Sequence, residues 1–202
     1  MREYHFMKNN ILQYTLLTVL AMFAVAMSRL LPHPLNFAPV AAIALYGGAR
    51  GKNLAFSFLL PILVMLVSDV LVMAIMYPEN GNPFAYLITT SALSVYFAFC
   101  LIVCIGLLLK RNIKVPTVIL ASLGSSFLFY IVTNFFVWYG ASFYPQTFAG
   151  LIECYAAGIP FFKGDVTQSF FLNQFIGDLF FNGVLFGTHA LVARTAHNTA
   201  NA

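Results

Sequence analysis

Charge is what this sequence has least of. Ten Lys/Arg and six Asp/Glu make up 8% of its 202 residues, while 61% of the chain is apolar and the mean hydropathy is +0.87. An ordinary water-soluble domain carries about 25% charged residues, so that class is excluded. Cysteine is scarce too, and three of them give no disulfide framework. Cys100 and Cys104 stand one helical turn apart with no His or acid beside them, so they read as buried small hydrophobes rather than metal ligands. Cys154 falls in a loop and is expected to stay unpaired. A phosphate loop is also missing. The run "AIALYGGARGKN" carries Tyr46 where a Walker pattern ending at Gly51-Lys52 needs Gly, and Asn53 where it needs Ser or Thr. Gly47, Gly48 and Gly51 suit close helix packing instead. No H-E-x-x-H, D-D-x-x-D or G-x-S-x-G signature occurs. The net charge of +4 does not gather on one face, so nucleic acid is not expected as a partner.

What is present is a series of long uncharged stretches: Asn9–Ser28, Leu30–Ala49, Asn53–Ser68, Asn80–Leu109 and Val115–Ile152. Each approaches or exceeds the roughly 20 residues that span a bilayer as helix. The pattern predicts six helices, at about 11–30, 38–49, 54–77, 84–109, 116–138 and 168–192. The fold class is an all-α polytopic membrane bundle: one integral domain over 11–194, with tails at 1–10 and 195–202. Placing the N-terminus inside leaves Arg2, Lys8, Arg50, Lys52, Lys110, Arg111, Lys114 and Arg194 on the cytoplasmic side, against Arg29 and Lys163 outside. That bias puts both termini in the cytoplasm. A cleaved signal ending near Ala24-Val25-Ala26 is the competing reading of the first helix.

The outer connections are longer than the inner ones, which marks the outer side as the working surface. In "SRLLPHPLNFAP", Pro32, Pro34 and Pro39 remove backbone donors and push their predecessors toward extended geometry. Non-helical backbone at membrane depth needs protein or a wet cavity around it. Arg29, His33 and Asn36 ride on this stretch, either as one wall of a ligand pocket or as headgroup contacts. Asp69 and Asp178 lie about 12 Å below the outer surface of their helices, where a carboxylate is costly unless partnered. They are expected to share a polar cavity, to lock the bundle through Arg29, Lys163, Ser68, Asn173 or Asn182, or to form a proton or cation site. Asn134 and Trp138 share a helix face near the outer end. The segment "FYPQTFAGLIECYAAGIPFFKGD" is too short to span; a short helix over Gly150–Ala157 carries Glu153 and Tyr155, as a lid or an interfacial anchor.

Together "RLLPHPLNFAPVAAIALYGG", "SDV", "VTNFFVW", "YPQTFAGLIECYAAGIPFF" and "GDLFFNGVLFG" resemble a bacterial family of unknown function labelled putative transport proteins. That family is similar to the substrate-binding S components of energy-coupling factor (ECF) transporters. The resemblance implies a six-helix bundle in the bacterial cytoplasmic membrane that binds a vitamin-like micronutrient beneath its outer loops. It also implies a partner module of coupling subunit and ATPases. The A-x-x-x-A patch of S components is absent from the first helix, where Ala21 precedes Val25; Ala38 and Ala42 have that spacing on the second. The expected function is small-molecule binding and transport without catalysis, cofactor or metal. The candidate lining is Arg29, His33, Asn36, Asp69, Asn134, Trp138, Glu153, Tyr155 and Asp178, with Arg29 and His33 serving anionic or hydrogen-bonding groups. The alternatives are an intramembrane enzyme acting on a lipid or isoprenoid, and a non-catalytic membrane assembly subunit.

Overall fold

The computed structural model describes residues 2–34, 36–140, 142–158 and 170–200, with side-chain surroundings for 15–34, 36–140, 142–158 and 172–195. All described regular structure is helical: α1 (Arg2–Met27), α2 (Val40–Arg50), α3 (Leu54–Met76), α4 (Thr90–Leu109), α5 (Val115–Gly140), α6 (Phe148–Gly158) and α7 (Phe170–Ala200). Short 3-10 turns fill Ser28–Leu30, Pro78–Asn80 and Pro83–Ile88. Polar caps set several starts. Asn53 accepts from the Phe56 amide at 2.8 Å before α3, and Thr89 accepts from the Ala92 amide at 3.2 Å before α4. Thr89 is extended, which is why the helix expected from residue 84 begins only at Thr90. The expected tails are not separate from the helices: α1 starts at Arg2 and α7 runs to Ala200.

Four helices among the described residues are long and apolar enough to cross a membrane: Leu54–Met76, Thr90–Leu109, Val115–Gly140 and Leu172–Thr195. The described apolar stretch Thr15–Leu30, which runs from α1 into the 3-10 turn, is shorter. The expectation that the second helix spans is corrected. With 11 residues α2 is about 16 Å long, half of a hydrocarbon core of about 30 Å. It is instead the centre of the bundle, with Ala41 through Ala49 all buried. It packs against α1, α3, α4, α5 and α7. The outward faces of the long helices expose Leu59, Leu63, Leu108 and Leu120, as a surface turned to lipid requires.

Glycine lets α2 occupy that position. A Cβ added at Gly48 would stand 2.4 Å from the Val103 carbonyl oxygen, and one added at Gly106 would stand 2.4 Å from that of Leu45. The α2 and α4 backbones therefore touch, as the small residues of membrane helices allow. On the other flank the ring of Pro61 in α3 fills the space beside Gly47, 2.2 Å from where its Cβ would be. The cysteine expectations are partly reversed. Cys104 is exposed on the bundle surface and Cys154 is buried, while Cys100 is intermediate; all three are free.

Gly48→Ala is expected to cost about 2 kcal/mol through overpacking, read as a lower Tm of the purified protein in detergent. Gly124→Ala, whose Cβ would meet nothing within 4 Å, should hold or raise Tm, because Ala exceeds Gly in helix propensity by about 1 kcal/mol.

Candidate functional site

The two ends of the bundle differ in chemistry. Arg50, Lys52, Lys110, Lys114 and Arg194 mark a basic end, and the prolines and aromatics of 29–39, 77–89 and 139–148 mark the opposite, aromatic end. At the aromatic end the described residues 31–34 and 36–39, broken by prolines, are non-helical between the 3-10 turn at Ser28–Leu30 and α2. The Phe37 amide donates to the Pro34 carbonyl at 3.0 Å, closing a turn in which Asn36 adopts φ = 60°. Asn tolerates this left-handed geometry better than other non-glycine residues. The turn sends Phe37 onto Phe180 and Phe181 of α7, with ring centroids 5.8 and 5.5 Å apart.

Arg29 turns inward. Its guanidinium reaches Asp69 Oδ1 at 2.5 Å and donates to Ser68 Oγ at 2.6 Å. Tyr96 Oη donates to the other carboxylate oxygen at 2.6 Å. Asp69 is 3% exposed, and both its oxygens are partnered. Tyr86 stands nearby, its phenol raised above the ordinary value by burial and then by the Asp69 carboxylate, with Arg29 opposing.

Asp178 belongs to a different network. Ser126 Oγ donates to its Oδ2 at 2.7 Å, and Asn182 donates to Ser122 Oγ at 3.0 Å one turn below. The Ala42 amide and the Gln174 side chain face the same carboxylate, although Oδ1 makes no hydrogen bond of normal geometry. Asp178 thus stands at the N-terminus of α2, where Pro39 supplies no side-chain cap and a carboxylate suits the helix dipole. Helices α3 and α7 each pack on α2 rather than substantially on one another. The expectation of one cavity shared by Asp69 and Asp178 is therefore corrected: the two acids lie on different sides of α2 in separate networks. Asp178 does not pair with Arg29, and Lys163 lies outside the described residues.

Above the start of α2 is a hollow in two adjoining parts, of about 450 Å³ and 570 Å³. Asn36, Phe129, Thr133 and Val137 line both. Asn134, Tyr144 and Gln174 add polar groups on one side; Thr90, Ser91 and Ser94 add hydroxyls on the other. No charged side chain lines either part among the described residues.

One wall is α6, which folds back antiparallel to α5. Tyr155 Oη donates to the Ile131 carbonyl at 2.9 Å, Tyr130 Oη donates to the Tyr155 carbonyl, and Cys154 Sγ approaches the Asn134 carbonyl at 3.4 Å. Trp138 Nε1 donates to the Pro145 carbonyl at 2.9 Å, and Gln146 donates back to the Trp138 carbonyl at 2.6 Å. Of the nine candidate residues, Asn36 and Asn134 meet in the hollow. Trp138 and Tyr155 hold its wall through their polar atoms. Arg29 with Asp69, and Asp178, are committed elsewhere. Glu153 is exposed, and His33, also exposed, shares a 2.9 Å hydrogen bond with the Pro34 carbonyl. Sequence reasoning missed Thr133, Ser94 and Gln174. It also missed Ser122, Ser125 and Ser126, whose spacing puts them on one face of α5.

The geometry defines a helical bundle of the membrane-spanning type, with a short buried helix at its centre and a polar, uncharged hollow at one end. Residues 9–200 match the family of unknown function DUF6580, and the chain belongs to that family. No curated protein and no solved structure matches it.

Removing one partner of a buried ion pair leaves the other uncompensated, at about 3 kcal/mol or more. Arg29→Gln and Asp69→Asn should each lower Tm, and the double variant should lose less than the sum of the two. Thermal unfolding of the four proteins measures that coupling; strict additivity would show the pair to be energetically silent.

Proposed function

We propose that this chain is an integral membrane protein that binds and transports a small molecule, with its site in the hollow at the aromatic end. The observation that carries the reading is that hollow, whose two parts have the volume of small-molecule sites, roughly 300–1,000 Å³. Its lining combines aromatic rings with a few amides and hydroxyls, the composition that buries a flat organic ligand and orients it. The lining carries no charge, and Arg29 is occupied by Asp69. The ligand is therefore a neutral, vitamin-sized compound with a planar group, rather than the anion that a free Arg29 would favour.

In this reading the basic end faces the cytoplasm, following the excess of Lys and Arg there. Six crossings arise if α1 spans and if the segment 31–39 together with α2 makes one crossing between them. That arrangement resembles ECF S components, and such a protein would draw energy from a coupling subunit and ATPases. The Ala38–Ala42 spacing does not supply the docking face, because Ala42 is fully buried. A paired-carboxylate enzyme is disfavoured by the separate commitments of Asp69 and Asp178.

The test is mass spectrometry of small molecules retained by the purified protein, followed by a metabolite screen for thermal stabilisation. One neutral compound at 100 times its Kd should stabilise the fold by about 2.7 kcal/mol. Asn36→Gly keeps the left-handed turn and removes the amide; with Thr133→Val it should abolish that response while leaving the unliganded Tm within a few degrees. Absence of both retention and response in folded protein overturns the reading.

A further inference from the structure

The basic end holds a second candidate site, unrelated to the hollow. Two cavities of about 390 Å³ and 480 Å³ adjoin there, and both are lined by Arg50 and Ile113. The larger is cationic, with Lys52, Lys110, His189 and the hydroxyls of Thr15 and Thr18 around it. The smaller is a groove between α5 and α7, walled by Val118, Ile119, Leu179 and Phe186, with Lys114 at its mouth. Gly183 and Gly187 form its floor on α7, and a Cβ on either would meet nothing within 4 Å. A cationic chamber and an apolar groove thus share one arginine in their walls.

Among residues with described side chains, the charges of this end are unbalanced. The acids of that set are Asp69 and Asp178, bonded within the bundle, and Glu79 and Glu153 at the aromatic end. The single ion pair among the described residues is Arg29–Asp69. Lys110 Nζ donates to the Gly51 carbonyl at 2.5 Å, and Lys52 lies 5.2 Å from the centre of the Phe56 ring. The Arg50 guanidinium lies 5.9 Å from that of Phe186, and its Nε is buried with no hydrogen-bond partner. Arginine offers five donors in a fork that matches a phosphate, and none of these contacts supplies the anion.

We propose that these two cavities form one binding site for an anionic phospholipid of the leaflet at the basic end. Its phosphate lies against Arg50, within reach of Lys52 and Lys114, and one acyl chain lies in the α5–α7 groove. The occupant is an amphiphile because neither half suffices. A soluble phosphate leaves the groove unfilled, and an uncharged lipid leaves the Arg50 Nε unanswered. Basic pockets between membrane helices bind acidic headgroups on these grounds.

The experiment uses the full chain in phosphatidylcholine nanodiscs and in detergent, probed with phosphatidylglycerol, with phosphatidylcholine of the same chains, and with glycerol phosphate alone. Native mass spectrometry should show retained phosphatidylglycerol at least tenfold above phosphatidylcholine, and only phosphatidylglycerol should raise Tm. Arg50→Gln should abolish the preference. Gly187→Leu keeps every charge, fills open space, and should abolish retention of the lipid; Lys114→Gln, at an exposed position, should weaken the preference several-fold even if Arg50→Gln fails to fold. Equal retention of the two lipids, unchanged retention in Gly187→Leu, or an equal Tm rise with glycerol phosphate would each overturn the proposal, the last by showing a soluble-anion site.

Discussion

The contact of α2 with α4 through Gly48 and Gly106 is the constraint on which the rest of the molecule depends. With neither residue carrying a side chain, the two backbones meet, and α2 can be enclosed by five other helices. A helix of 11 residues covers only about half the thickness of a bilayer core. In the proposed reading the described residues between the 3-10 turn and α2, rich in proline, cover the remaining distance. The volume above Val40 beside them is not filled. The hollow lies there, between α4, α5, α6 and α7, with Asn36 on its edge.

A buried helix end is also an electrostatic problem. The first amides and last carbonyls of α2 lack partners within the helix. The structure supplies partners from distant parts of the chain. Asp178 faces the Ala42 amide at the N-terminus; at the C-terminus, Arg50 ends the helix and Lys110 donates to Gly51. Each charge has the sign that the helix dipole favours at its end. Intramembrane carboxylates are treated by default as functional. Here Asp178 stands at a helix terminus and Asp69 pairs with Arg29, so each has a structural partner at its depth.

Much of this was legible in the sequence because membranes demand long uncharged runs and glycine contacts. Helices α2, α3, α5 and α6 begin and end within about three residues of expectation, and Gly47, Gly48 and Gly51 do pack closely. What could not be read was partnership. Asp69 and Asp178 sit at similar depth, and depth alone suggested a common cavity; only the position of α2 separates them. Trp138 and Tyr155 stand in the sequence as candidate ligand lining, whereas their polar atoms tie the chain around α6 to α5. The serines of α5 carry no charge and so drew no notice, yet Ser126 and Ser122 hold Asp178 and Asn182. Counting the residues of 38–49 would have shown that this helix is too short to span.

These commitments bear on recognition. A bundle in lipid satisfies its charges internally, since an unpaired ion there costs several kcal/mol. Arg29 and Asp69 are consumed in that way, and Asp178 is engaged by Ser126. The groups left at the hollow are neutral: the amides of Asn36, Asn134 and Gln174, and the hydroxyls of Ser94, Thr133 and Tyr144. Neutral donors and acceptors discriminate by shape and by the cost of leaving a buried polar group unmade, about 1–3 kcal/mol each. In the proposed reading, selectivity at this end rests on geometry, and the geometry rests on the turn at Asn36 and the wall of α6. The proposed lipid site leaves charge recognition to the opposite end, where no acid among the described side chains answers Arg50.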